Sequence, residues 1–341
     1  MRKCFCLVPT PKKIGGPASF LAKFSAGLQA RGIQVNYDLN DRPYQAVLVI
    51  AGTRNLRGLW QARQAGIPII QRLDGMNWVH RARWTGLRHY LRSEYGNWLL
   101  RFTRQNMAHH IIYQSDFSRR WWEGKYGPAR KPFHIILNGV DLNTYSPEGP
   151  HERSEQGCKI VVIEGSLAEG HEAGLETAIG MAERLQQILQ QPVSLSVAGR
   201  VLPAVQAYWS ARARIPVHFL GMVPMNQIPF LNRSSHLLYA SELNAACPNS
   251  VIESLACGLP VTAFDTGSLP ELVQSQAGKL VHYTGNPWKL EPGDVEGLAQ
   301  AAAEIFTHQQ TYRPAARLRA EATFSLERMV QGYVDVLESC G

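Results

Sequence analysis

Short apolar runs alternate with amphipathic stretches along the whole chain. Strand-like runs lie at 3–8, 33–37, 46–51, 69–71, 110–114 and 133–137. Helical periods fall between them, as at 18–31, where Phe20, Leu21, Phe24 and Leu28 share one face and Gly32 supplies a C-terminal stop. Residues 146–157 are polar, carry Pro and Gly and have no period, so they read as an interdomain linker. The alternation then restarts, with strands expected at 159–164, 193–197, 217–220, 236–239, 261–264 and 279–282. Helices are expected at 172–189 and 250–256, followed by a mostly helical tail from 294 to about 338. Strands alternating with helices predict parallel sheets covered on both faces. Two successive rounds predict an α/β fold of two Rossmann-like, doubly wound domains facing a cleft, with ligands at the carboxyl ends of the strands. The expected domains are 1–148 and 158–318, with a C-terminal helix at 319–341 packing back on the first.

Composition narrows the class. The 341 residues are 45% hydrophobic and 18% charged, which suits a globular chain of two domains. No stretch approaches the roughly 18 to 20 apolar residues of a spanning helix. The basic N-terminus leads into only a short apolar run, ended by Pro9 and Pro11, and this fits a first strand better than a signal peptide. Cys4, Cys6, Cys158, Cys247, Cys257 and Cys340 show no paired ligand spacing, so reduced thiols in a cytoplasmic protein are expected. Cys4 and Cys6 should face the same side of one strand.

The net charge of +8 is unevenly spread. Residues 1–150 hold 22 Lys and Arg against 8 Asp and Glu, and the remainder is net acidic. The densest basic stretch, 72–131, interleaves arginine with aromatics: Arg81, Arg83, Trp84, Arg88, Tyr90, Arg92, Trp98, Arg101 and Arg104. Two readings stay open. The stretch meets an anionic partner, such as a phosphate-bearing acceptor or a membrane surface touched peripherally, or it is a solvated helical face with its aromatics turned inward. Nothing beyond net charge supports nucleic acid, which is not expected.

The candidate chemistry centres on 244–260, Asn-Ala-Ala-Cys-Pro-Asn-Ser-Val-Ile-Glu-Ser-Leu-Ala-Cys-Gly-Leu-Pro. Pro248 and Asn249 open a helix whose first-turn N–H groups and positive dipole end suit a phosphate. Glu253 follows one turn in, and a carboxylate suits the vicinal hydroxyls of a ribose. Gly258 stops the helix.

This segment resembles the donor-site signature of the retaining, two-Rossmann-domain (GT-B) glycosyltransferases of the large glycosyltransferase family four. Other stretches match in order: Gly15-Gly16-Pro17 after the first strand, Ser115-Asp116-Phe117-Ser118, Asn138-Gly139-Val140-Asp141 with Tyr145 and Pro147, Gly199, Gly221, and Thr266-Gly267-Ser268-Leu269-Pro270-Glu271. The resemblance implies a nucleotide-diphosphate sugar as donor substrate, retention at the anomeric carbon, no cofactor and no required metal. It also implies roles for residues. Gly15 and Gly16 would let the backbone approach the donor, and Asn249, Ser250 and Val251 would present amides to the diphosphate. Glu253 would bind the ribose, and Gly221 and Met222 would lie beside the base.

The chain departs from the family pattern in three places. Ala245 stands where the family often has a first acid, with Glu242 nearby out of register. Ser166 replaces an arginine that neutralises the diphosphate, and no lysine follows; Arg200, His171, Lys12 and Lys13 are the candidate substitutes. Where the family often has a histidine, this chain has Asp74, which could orient or deprotonate an acceptor hydroxyl or simply cap a turn. Asp74 and Glu253 are the candidate catalytic residues, and Asp74, Asn77 and Glu94 the candidate acceptor residues. No Asp-x-Asp, G-x-G-x-x-G, P-loop or G-x-S-x-G motif occurs. The leading expectation is sugar transfer to a sugar or lipid-linked acceptor. The alternatives are a homologue that binds a nucleotide sugar or glycan without transferring it, and a nucleotide-sugar epimerase on the same fold.

Overall fold

A computed structural model describes residues 3–10, 15–167 and 172–340. The chain divides into two compact units: 1–80, 86–139 and 326–341 form the first, and 81–85 with 140–325 form the second.

The first unit holds six parallel strands: β1 (Cys4–Val8), β2 (Gln34–Asn36), β3 (Ala46–Ile50), β4 (Ile69–Leu73), β5 (His110–Tyr113) and β6 (Phe133–Ile135), ordered β2-β1-β3-β4-β5-β6. Every residue of β1, β3, β4 and β5 is buried, as expected of parallel strands covered on both faces. Alternation assigns the two faces. Cys4, Cys6 and Val8 pack with Leu59 and Ala62 of α2 (Leu56–Gln64), while Phe5 and Leu7 pack on Phe20, Phe24 and Leu28 of α1 (Gly16–Ala30). The connections carry α3 (Val79–Ala82), α4 (Leu87–Phe102), a π-helical turn at Thr103–Met107 and α5 (Asp116–Tyr126).

The second unit repeats the plan with β7 (Cys158–Ser166), β8 (Val193–Arg200), β9 (Val217–Gly221), β10 (Leu237–Tyr239), β11 (Val261–Phe264) and β12 (Gly278–Val281). These are ordered β12-β11-β10-β7-β8-β9, all parallel. Its helices are α6 (Glu172–Leu189), α7 (Pro203–Arg212), α8 (Ile228–Arg233), α9 (Asn249–Ala256), α10 (Leu269–Leu272), α11 (Val295–Thr307) and α12 (Gln309–Thr323). Leu175, Ile179, Ala182 and Leu185 of α6 recur at helical spacing and fill the core over β7 and β8.

The tail from 294 is helical as expected, but the last helix begins at 326 rather than 319. Phe324 and Ser325 separate α12 from α13 (Leu326–Ser339), and Met329, Val330, Tyr333 and Leu337 of α13 join the α1 face of the first core. The units divide after Gly139 rather than at 148. Val140 N–H donates to Phe324 O at 2.8 Å, and Arg317 Nη1 reaches Leu142 O at 3.2 Å and Tyr145 O at 2.8 Å, so the segment from 140 onward is held by the second unit.

One glycine is fixed by the carboxyl end of this second sheet. Gly199 has φ +136°, and a Cβ there would sit 2.1 Å from the carbonyl oxygen of Glu164 on the adjacent strand. Gly199→Ala is expected to cost at least about 2 kcal/mol, combining strain with a backbone clash. Urea unfolding checks this, and an unchanged midpoint would contradict it.

Candidate functional site

The strand order of the second unit creates a switch point. From β7 the chain crosses through α6 to β8 on one side, while β10 pairs with β7 on the other. Crevices at the carboxyl ends of such diverging strands are where doubly wound sheets take ligands. The chain after β7 and β10 supplies the lining there: Glu164, Gly165, Ser166, Leu167, Ser241 and Glu242 surround a cavity of ≈ 190 Å³.

The cavity is acidic. Ser241 Oγ donates to Glu164 Oε1 at 2.9 Å. Burial, and then the neighbouring Glu242 carboxylate, push the Glu164 carboxyl up to about 8, against the smaller opposing effect of hydrogen bonds from Ser241. Near neutral pH Glu164 therefore keeps its proton. Sequence reasoning did not find this pair as a site. Glu164 and Ser241 are 77 positions apart and meet only because β7 and β10 are neighbours. The available signal was two acids, each at the end of an expected strand.

Helix α9 is the crossover after β10, so it begins at the same carboxyl edge. Its N-cap is Pro248, and no side chain caps it. The first-turn amides of Asn249, Ser250 and Val251 lack intrahelical acceptors, as the first amides of any helix do. The loop leading in is pinned from below, with Ser268 N donating to Ala245 O at 2.9 Å. Gly267, at φ +63°, packs so closely that a Cβ would lie 2.6 Å from Ala245 N. Ala245 is itself buried beneath this turn.

Glu253 is 8% exposed, but it does not point into hydrocarbon: the Tyr145 hydroxyl bonds its carboxylate. Tyr145 is set by Arg317, whose Nη1 binds both Tyr145 O and Ala256 O at 2.8 Å and so ties the 140s segment to the end of α9. Arg200 ends β8 in register with Ser166 and is exposed. Gly221 ends β9 at φ +62°, followed by Met222, which is half exposed. Ser166, Arg200, Gly221 and the start of α9 thus share the carboxyl edge of one sheet. His171, Lys12 and Lys13 lie outside the described residues.

The first unit holds the other candidates. Gly15 and Gly16 open α1 without a side-chain cap, and a Cβ at either would meet nothing within 4 Å. Asp74 follows β4, its carbonyl clamped by Trp122 Nε1 at 2.8 Å and Ser118 Oγ at 3.2 Å. Burial raises its carboxyl, partly offset by Arg72 and its own backbone amide. Arg72 is buried with its guanidinium 4.0 Å over the Phe20 ring and bonded to Asn138 Oδ1 at 2.9 Å. Asn77 is exposed and held through its backbone by Asn97, at 2.9 and 2.8 Å. Glu94 is engaged by His80, Nε2 to Oε1 at 2.7 Å.

Against known proteins, residues 158–308 match the model of the family "Glycosyl transferases group 1". Most of the second unit thus resembles a group 1 glycosyltransferase domain. The chain is 28% identical over 227 residues to the alpha-maltose-1-phosphate synthase of Mycolicibacterium smegmatis, covering 61% of this chain and 58% of that protein. It is 23% identical to spore coat protein SA of Bacillus subtilis, covering 67% and 64%. The match thus spans about three fifths of each curated relative. Among solved structures, sucrose-phosphate synthase from Thermosynechococcus elongatus superposes with TM-score 0.76 at 15% identity over 99% of both chains. Anabaena HepE in complex with UDP and glucose gives 0.68 at 18%, over 99% and 100%. The fold is GT-B, two parallel six-stranded units with flanking helices.

The acid pair of the second unit makes stability pH-dependent with a defined sign. Folding raises the Glu164 carboxyl from 4.5 to about 8, so its contribution is full below about 4.5 and drains as pH rises toward about 8. Glu164→Gln should remove that decline. Urea titrations across this range should show the variant gaining on the parent as pH rises; a pH-independent difference would contradict the assignment.

Proposed function

We propose that this protein transfers a sugar from a nucleoside-diphosphate sugar to an acceptor held by the first unit, with retention at the anomeric carbon and without a required metal or cofactor. The observation that carries the reading is the uncapped start of α9 at the switch point, with Glu253 on the same helix. Amides of Asn249, Ser250 and Val251 take the diphosphate. Glu253, oriented by Tyr145, takes the ribose hydroxyls, and Gly221 and Met222 flank the base. Departure of the diphosphate on the face that the acceptor attacks gives retention.

The leaving diphosphate needs positive charge. With Ser166 in place of the family's arginine, Arg200 at the adjacent strand end is the described cation nearest in register. The proton on Glu164 lessens the repulsion that a diphosphate would meet there. A Cβ at Gly16 would meet no protein group, which leaves room there for a ligand's approach. Asp74, raised by burial, is a better base for an acceptor hydroxyl than an ordinary aspartate. Asn77 and Glu94 lie on the segments that frame that acceptor. The HepE complex with UDP and glucose makes uridine nucleotides the first donors to try.

A second reading is supported by Ala245 and Ser166: a chain that binds a nucleotide sugar without transferring it. A panel of nucleotide sugars separates the two. Nucleoside diphosphate released with acceptor supports transfer, whereas tight binding without release favours the binder. In either case Glu253→Ala should weaken UDP binding by about 1.5–3 kcal/mol, the worth of a charged hydrogen bond. Calorimetry measures this, and unchanged affinity would remove Glu253 from the site.

A further inference from the structure

Helix α4 is inside out. A surface helix ordinarily turns its apolar stripe to the core. In α4, Leu87, Leu91, Tyr95 and Trp98 recur at four-, four- and three-residue spacing on one side and are 62, 59, 47 and 48% exposed. The opposite side buries the polar Ser93 and Asn97 along with Leu99 and Leu100, and Asn97 and Glu94 fasten it to the 77–80 segment. Of the two readings of the basic-aromatic stretch, inward-turned aromatics is therefore wrong for this helix, because its inner positions are spent on polar fastening.

The stripe is ordered and fringed with cations. The rings of Tyr95 and Trp98 stack at 6.0 Å, and those of Trp98 and Phe102 at 5.3 Å. The Arg54 guanidinium lies 5.7 Å over Tyr95, and Arg88, Arg92 and Arg101 are exposed beside the stripe. A contiguous apolar surface with a polar rim marks an interaction site. Tryptophan and tyrosine favour the boundary between lipid head groups and acyl chains, and arginine favours anionic lipid. The first 150 residues reinforce this, with 22 Lys and Arg against 8 Asp and Glu.

We propose that the outer face of α4 docks on an anionic lipid bilayer, with the stripe at the head-group boundary and the arginines on lipid phosphates. Among the described residues no helix is long and apolar enough to cross a membrane, so this attachment is peripheral. Docking does not rest on the catalytic reading. One consequence does: the same helix carries Glu94 and, through Asn97, grips Asn77, so a lipid-linked acceptor would arrive along α4.

The test is flotation of the full chain with vesicles of phosphatidylcholine alone or with a third phosphatidylglycerol. Binding is expected to the anionic vesicles only and to weaken with salt. Leu91→Glu with Trp98→Glu, and separately Arg88→Glu with Arg92→Glu, should each reduce it about tenfold or more. Because these side chains are exposed, both variants should melt like the parent. Absence of flotation with anionic vesicles, equal flotation with both lipids, or binding undiminished in either variant would overturn the proposal. So would a dimer in sedimentation that Leu91→Glu with Trp98→Glu splits, in a chain that ignores vesicles.

Discussion

Parallel strands joined by crossover helices place every strand's carboxyl end, and every following helix's first turn, on one edge of the sheet. That edge is rich in peptide N–H groups without partners, which favours negative charge. In the second unit the constraint acts hardest at α9, where Pro248 offers no capping side chain and the loop before it is locked on Ser268 and Gly267. The loop before that start is held in place by the fold, and no side chain of the described residues caps the helix. The roles proposed for Glu253, Arg200 and Gly221 all rest on the carboxyl edge they share with that helix start.

The same edge carries a conflict. Glu164 and Glu242 crowd a cavity where a diphosphate's charge would be felt, and the familiar arginine is Ser166. Burial resolves part of it by holding a proton on Glu164, against the smaller pull of the Ser241 hydrogen bonds. The first unit shows a related balance around Asp74, whose backbone is clamped by α5 while burial and Arg72 pull its carboxyl in opposite directions.

Local pattern made much of this legible. The buried run 4–8, the four-residue stripe of α6 and the Pro248-to-Gly258 signature each declare their element without help from distant residues. What escaped depends on contacts between distant residues. The acid pair joins residues on strands that are adjacent in space and far apart in sequence. The unit boundary falls at 139 because Val140 and Tyr145 are held from Phe324 and Arg317, which no linker composition reveals. In α4 the period was visible, but which side faces water was not. Periodicity locates a stripe, and only the polar fastening of Asn97 and Glu94 tells which way it points.

The most direct measurement is a crystal structure of the chain with uridine diphosphate. The account predicts pyrophosphate oxygens at roughly 2.7–3.2 Å from the amides of Asn249, Ser250 and Val251, with the ribose hydroxyls on the Glu253 carboxylate. A nucleotide lodged elsewhere, with those amides turned only to water, would contradict it.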